Sequence, residues 1–185
     1  MKKIGLIILL TVLVISCKKQ SQLSARFDCG NESVSNTKQI LDFNKNFKVS
    51  IPSSWNTQLH YSTSQSQIFT ADTTKQLSKT YILDTSFNYG EINFDSDFIK
   101  KTDSIIKSKN LILVTSEKEK FKNKDSFWYV VKGLKQKMTY HQLNMIIKLS
   151  NNTYFSANVD VYGDTRINER LCESLSILNS VEFLE

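Results

Sequence analysis

Asn46-Phe47-Lys48-Val49-Ser50-Ile51-Pro52-Ser53-Ser54-Trp55 is the stretch on which the fold turns. Phe47, Val49 and Ile51 alternate with Lys48 and Ser50. A period of two sends the apolar side chains to one face of a strand and the polar ones to the other. Pro52 has no N–H to give to a sheet ladder, so it stops this strand at an edge or an end. Trp55 follows in the turn, where its indole can close over one end of a core.

Working outward, Gln67 to Ala71 and Thr80 to Phe87 read as further strands, the second opening on the β-branched and aromatic run Thr80-Tyr81-Ile82-Leu83. The period then changes. Phe98, Ile99, Thr102, Ile105 and Ile106 share one helical face, with Lys100, Lys101 and Lys107 largely outside it. Asp95 or Ser96 can cap that helix and Asn110 can sit beyond its end. Four strands follow in succession: Leu111 to Lys120, Ser126 to Lys135, Thr139 to Leu149 and Thr153 to Val161. Asn123-Lys124-Asp125 and Asn151-Asn152 are the expected hairpin turns. Phe127-Trp128-Tyr129-Val130-Val131 is apolar at both alternations, which predicts a central strand covered on both faces. In the last of the four, Phe155, Ala157, Val159 and Val161 take one side and Ser156, Asn158 and Asp160 the other. Gly163-Asp164 ends the meander, and Asp164 is the expected N-cap of a helix from Thr165 to Asn179. Its stripe is Ile167, Leu171, Leu175 and Leu178, with Cys172 flanking it. Val181-Glu182-Phe183 is expected to return to the sheet.

The order strand–Pro–Trp, strands, helix, antiparallel meander, final helix resembles the PsbP/Mog1-like family. Residues 46–55 are similar to its opening F-x-(I/V)-x-(I/V)-P-x-x-W. Asn152-Thr153-Tyr154-Phe155-Ser156-Ala157 and Ile177-Leu178-Asn179-Ser180-Val181-Glu182-Phe183 are similar to its late strand and its I-x-x-S-(I/V/F)-x-F ending. The resemblance implies an α+β fold, an α/β/α sandwich around a mainly antiparallel sheet, over residues 38–185. It implies a fold and not a reaction: members of this family mostly serve as binding or assembly accessories, and fold does not fix function.

The N-terminus carries an address. Met1-Lys2-Lys3 precedes an apolar run from Ile4 to Ile15 interrupted only by Gly5 and Thr11, then Ser16 and Cys17. The run falls short of the roughly 20 residues a membrane span needs and reads as a secretory signal. Val14-Ile15-Ser16-Cys17 resembles the lipobox of bacterial lipoproteins, which implies cleavage of residues 1–16 and acylation of Cys17. Several acyl chains would anchor the chain firmly, where a single one is marginal. The polar stretch from Cys17 to Thr37 reads as a flexible tether averaging about 25 Å end to end. A composition rich in Lys, Asn and Ser, with 5 Gly and 1 Pro, resembles that of Bacteroidetes proteins. In that group, lysines rather than acids directly after the lipidated Cys imply the periplasmic side of the outer membrane.

Removing residues 1–16 from the 185 leaves 169, enough for one domain with a real core. The net charge falls from +6 to +4 with the loss of Lys2 and Lys3. A mildly basic domain gains some attraction to anionic lipid, although its lysines are interspersed with acids. Export argues against nucleic acid as a partner. Of the 3 cysteines, Cys29 and Cys172 remain after lipidation. An oxidising envelope permits a bridge between them, and closing so long a loop would contribute about 5 kcal/mol in the chain-entropy treatment. A buried thiol at 172 with a free one at 29 is the alternative, and spacing does not decide between the two.

Catalytic motifs are absent: there is no G-x-S-x-G, H-E-x-x-H or Gly-rich phosphate loop. His60 and His141 lack companions at metal-ligand spacing, so no catalytic residue, metal ligand or cofactor is assigned. Asp84, Glu91, Asp95 and Asp97 form an acidic cluster that a solvated loop and helix N-terminus explains. Asp72-Thr73-Thr74 and Asp103-Ser104-Ile105 resemble the Bacteroidetes O-glycosylation triplet, with Thr73 and Ser104 as acceptors. The expected function is that of a non-enzymatic, membrane-anchored lipoprotein serving an envelope protein complex. The alternative is a small-ligand or cell-wall glycan module using Trp55, Tyr61, Tyr81, Phe87, Tyr89 or Tyr140 in one cleft.

Overall fold

The computed structural model describes residues 21–30 and 33–184. Met1 to Gln20, and with them the signal and Cys17, lie outside the described residues. The chain runs α1 (Gln22–Arg26), β1 (Thr37–Leu41), β2 (Phe47–Pro52), β3 (Asn56–Tyr61), β4 (Gln65–Ala71), a short 3-10 turn, β5 (Tyr81–Tyr89), α2 (Ser96–Ser108), β6 (Ile112–Phe121), β7 (Lys124–Lys135), β8 (Met138–Lys148), β9 (Thr153–Tyr162), α3 (Ile167–Asn179) and β10 (Glu182–Phe183).

Seven strands form one sheet in the order β3-β4-β5-β9-β8-β7-β6, and β1-β2-β10 form a small second sheet. Every pairing is antiparallel. The small sheet, α3 and α1 cover one face of the large sheet, and α2 lies on the other. This is a mainly antiparallel α/β/α sandwich whose α3 layer also holds three strands. The opening stretch behaves as its pattern dictates: Phe47, Val49 and Ile51 are fully buried while Lys48 and Ser50 are only half-buried. Pro52 ends β2, its carbonyl accepts the Trp55 amide at 3.0 Å, and the Trp55 ring meets Tyr81 edge-on at 4.9 Å. The terminus returns to β2 rather than to the large sheet, with Glu182 opposite Lys48 and Phe183 opposite Phe47. A Lys48–Glu182 ion pair at 2.9 Å and the ring contact of Phe183 with Phe155 hold it there.

Three expectations fail for identifiable reasons. The first is the tether expected over residues 17–37, with the domain starting at residue 38. Residues 22–26 instead form α1, capped by the Ser21 hydroxyl and buried through Leu23 at 1 % exposure. Three residues later Cys29 is bonded to Cys172 of α3. A polar segment carrying one apolar side chain and one cysteine is drawn into the fold by those two residues, and the globular unit therefore begins at α1. The second is the N-cap of α3. Arg166, in the left-handed region at φ 52°, takes that position without a side-chain cap. The Arg170 guanidinium draws in the carbonyls of Tyr162 and Thr165, which holds the chain off the helical path past Asp164. The third is the β6–β7 turn, a two-residue loop at Lys122-Asn123 (φ 48° and 66°) repeated at Gln136-Lys137 (φ 53° and 64°). Both residues of such a turn need positive φ, and lysine and glutamine give no sequence signal for it. β1 and β3, two short edge strands with largely exposed residues, carry no alternating apolar pattern and escape sequence reading.

Candidate functional site

The strand alternation gives the large sheet two unlike faces. Ile68, Leu83, Phe155, Ala157, Val159, Leu143, Met145, Trp128 and Val130 point to the α3 side and build the core. The opposite face is polar over its middle strands. Register puts Asp84, Asn158, Asn144 and Tyr129 in one row across β5, β9, β8 and β7, and Ser86, Ser156, Ile146 and Phe127 in the next. α2 covers only the β6–β7 half of this face. Asp95 starts it, its Oδ1 accepting the amides of Asp97 and Phe98, and Phe98 meets Phe127 edge-on at 5.3 Å with Phe94 alongside. β7 is thus covered on both sides as its sequence predicts, although it is the second strand from the edge.

Where α2 stops, a groove of about 770 Å³ opens between it and the sheet. Lys101, Thr102 and Ile105 of α2 form one wall, and Tyr129, Asn144, Ile146, Tyr154, Ser156 and Asn158 form the floor. Glu91, Asn93, Asp95 and Asp97 ring one mouth. The floor is hydrogen-bonded before anything binds: Asn88 Nδ2 donates to Ser156 Oγ at 3.0 Å and Asn144 Nδ2 to Gln142 Oε1 at 3.3 Å.

Two carboxylates flank the floor. Asp160 accepts from Tyr140 Oη and Gln142 Nε2, both at 2.7 Å, and pairs with Lys135 Nζ at 3.2 Å. Burial, with the Asp160 charge next, pushes the Tyr140 phenol well above its ordinary value, so it stays a proton donor to Asp160. Burial opposes the charge on Lys135, but Tyr162 and Asp160 outweigh it and hold the ammonium above its ordinary range. Asp84 accepts from Gln67 Nε2 at 2.7 Å. Burial raises its pKa, and the neighbouring Asp160 charge adds to that, against the opposing pull of Gln67 and His60.

This face can offer amide, hydroxyl and carboxylate groups to a ligand, but it pairs no nucleophile with a base. His60 is near enough to Asp84 to favour its ionised form, yet it is exposed on edge strand β3. His141 has a buried Nδ1 without a hydrogen-bond partner; burial, then Lys132 and Arg170, lower its pKa. The acids at the groove mouth are each engaged separately: Asp95 caps α2, Asp97 pairs with Lys100 at 3.3 Å, and Glu91 accepts from Asn93. Among the described residues, no group of three or more His, Cys, Asp and Glu is placed to hold a metal ion. Thr73 is exposed in the loop after β4, beside an Asp72 whose oxygens are taken by Thr74 and Lys75. Ser104 is exposed mid-helix, its hydroxyl donating to the Lys100 carbonyl. The six aromatics considered for ligand stacking are dispersed: Trp55 lies on Tyr81 in the core, Tyr61 stacks on Phe43, Phe87 meets Tyr89, and Tyr140 meets Tyr162. The groove uses Tyr129 and Tyr154 instead. The signal for its floor was the carboxamide and hydroxyl alternation Gln142/Asn144 and Ser156/Asn158, legible as a polar face but not as a partly roofed one. No helix among the described residues is long and apolar enough to cross a membrane.

No protein-family model matches the chain, and a search of curated proteins gives no match. Solved structures share the fold at low sequence identity. The cyanobacterial PsbP (CyanoP) of Synechocystis superposes with a TM-score of 0.60 at 10 % identity, over 84 % of this chain and 97 % of that one. A mutant of the protein Mog1 gives 0.53 at 8 % identity, over 81 % and 97 %. LpqN of Mycobacterium tuberculosis, described as involved in cell envelope biogenesis, gives 0.51 at 9 % identity, over 80 % and 91 %. The fold is PsbP/Mog1-like.

Proposed function

We propose that the chain is a bacterial envelope lipoprotein, anchored through Cys17 at the periplasmic side of the outer membrane. In this reading it is a non-enzymatic accessory that presents the open face of its large sheet to a protein partner. The observation that carries the reading is the half-roofed polar floor: middle strands of a seven-stranded sheet left uncovered beside α2, rich in side-chain amides and hydroxyls. Such groups match the amide and hydroxyl edges of a polypeptide, and recognition pockets place a few polar groups among aromatic walls in this way. The lipobox supports the anchor, and the similarity of fold to an envelope-biogenesis protein is consistent with an accessory role.

The test is site-specific photocrosslinking in the native envelope, with the photoreactive residue at Asn158 or Ser156 and, as controls, at Thr73 and Lys38. A protein joined from the floor positions and not from the controls supports the reading, and Asn158→Arg should then abolish its capture. Equal labelling from all positions would sink it. The second reading, a small-ligand module, is favoured by the groove volume of about 770 Å³ and the Tyr129 and Tyr154 rings on its floor. It predicts that soluble glycan fragments perturb the fluorescence or NMR signals of those tyrosines.

A further inference from the structure

The end of the sheet where β6 begins and β7 turns into β8 has an unusual surface. Ile112, Leu113 and Val114 are consecutive and exposed at 61 %, 39 % and 40 %, and Leu134 beside the hairpin is the most exposed large apolar residue described, at 76 %. Leu111 packs against Gly133 so closely that a Cβ there would meet it at 2.6 Å, which joins the β6 start and the Leu134 hairpin into one surface. Lys109 and Lys135 share a shallow hollow with Leu111 and Leu134. Lys132 stands opposite Ile112, and Lys137 sits at the turn. Acids are sparse in the segments that build this end. From Ser104 to Ser116 and from Ser126 to Val159 the chain has no Asp or Glu. The next carboxylate, Asp160, pairs with Lys135, so the positive charge of this end falls to Lys109, Lys132 and Lys137.

We infer that this end docks onto an anionic lipid surface. Exposed aliphatic side chains ringed by lysines, without a deep groove to seat a peptide, suit shallow entry at the boundary of headgroups and acyl chains. Lysines at such a surface strengthen partitioning severalfold each, and the effect falls off within a Debye length. A second copy adding a strand at β6 is disfavoured, because the ladder shifts between Leu113 and Thr115 and the bulge at Val114 breaks the edge. The chain end agrees. Gln22 is tied to Glu119 of β6 by a 2.9 Å hydrogen bond. From Glu119 back to Val114 is about 17 Å along the strand, and the chain length from Gln22 back to Cys17 permits a reach of at most about the same. An anchor at Cys17 and the apolar end can therefore lie in one membrane plane. Only this last agreement rests on the anchoring reading above.

The probe is a chain of residues 18–185, which keeps every described element and lacks any lipid. It is co-sedimented with phosphatidylcholine vesicles with and without phosphatidylglycerol. Binding to the anionic vesicles, weakened by salt, is expected. It should fall roughly tenfold or more in Lys109→Glu/Lys137→Glu and in Ile112→Ser/Leu134→Ser. It should be retained in Lys38→Glu/Lys45→Glu, on the outer small sheet, with the unfolding transition unchanged in all three. Absence of binding at low salt overturns the inference. So does equal loss in the Lys38/Lys45 control. A solution dimer abolished by Ile112→Ser/Leu134→Ser would instead assign the surface to a second copy. Acylation of Cys17 is read separately by mass spectrometry of the envelope protein, so an unacylated Cys17 would remove the anchor without touching the vesicle result.

Discussion

Arg170 shows how one buried cation can set local structure without an acid partner. It is 4 % exposed and donates to the carbonyls of Thr80, Tyr162 and Thr165 at 2.9, 2.7 and 2.6 Å. Those carbonyls belong to the start of β5, the end of β9 and the approach to α3, so the guanidinium joins three segments. Charged hydrogen bonds are individually strong, and buried acceptors left unpaired are costly. Arg170→Met should destabilise the domain by about 3 kcal/mol, read as a lower guanidinium midpoint at an unchanged slope. Asp84 acts with the opposite sign. Its pKa is raised in the folded chain, first by burial, so the fold favours the protonated acid. The stability tied to this group is present below its unfolded value near 3.8 and is lost as pH rises through the higher folded value. Asp84→Asn keeps an acceptor for Gln67 and should make the protein more stable than wild type at neutral pH. The gain should vanish in acid, and a pH series of thermal midpoints checks both limbs; a wild-type advantage at pH 7 would mean that Asp84 is held by a partner charge after all.

At the scale of elements, legibility followed pattern strength. β9, α2 with its Asp95 cap, and the stripe of α3 each repeat an apolar period over seven or more residues, β7 is a dense apolar run, and their positions follow from sequence. α1 does not repeat anything. It is five residues with one buried side chain, Leu23, and only tertiary contact makes it an element, because a helix that short has no intrinsic stability. The bridge from Cys29 to Cys172 spans 143 residues of sequence, a pairing that spacing cannot choose. The candidate floor was legible as a polar alternation, while its roof depends on where α2 lands, which is set by the Phe94–Phe98–Phe127 contacts. Two consequences follow for α1. Replacing Cys29 and Cys172 together by Ser should cost up to about 5 kcal/mol, the chain-entropy ceiling for a loop of this length, and less if the reduced chain keeps residual structure. Arg26 should then become a fast tryptic site, because a segment held by one leucine opens locally. Unchanged cleavage after Arg26 would mean that Leu23 alone holds the segment.

At the scale of the whole molecule, α1 changes how far the fold would stand from the proposed anchor at Cys17. An unstructured chain from Cys17 to Thr37 would let the domain wander about 25 Å from the membrane on average. With Gln22 fixed to β6 by Glu119 and Cys29 bonded to α3, the distance from Cys17 to the fixed chain at Gln22 can be at most about 17 Å. Under the proposed Cys17 anchor, the domain is expected to sit against the bilayer with the β6 side nearest, and the basic, apolar start of β6 lies within that reach. The open polar face belongs to the same large sheet, so fixing the β6 edge also fixes which way that face looks. This gives a prediction in which orientation, not affinity, is the observable. Acylated protein on a supported bilayer, labelled at exposed Lys38 on the small sheet, should give one narrow height by fluorescence interference. Leu23→Ser combined with Cys29→Ser should broaden the distribution and raise its mean toward the longer tether. Restoring Leu23 alone should recover part of the narrowing, since its burial and the disulfide act on the same segment. An unchanged distribution in the double variant would mean that the start of β6, rather than α1, holds the domain to the surface, and Ile112→Ser/Leu134→Ser should then broaden it instead.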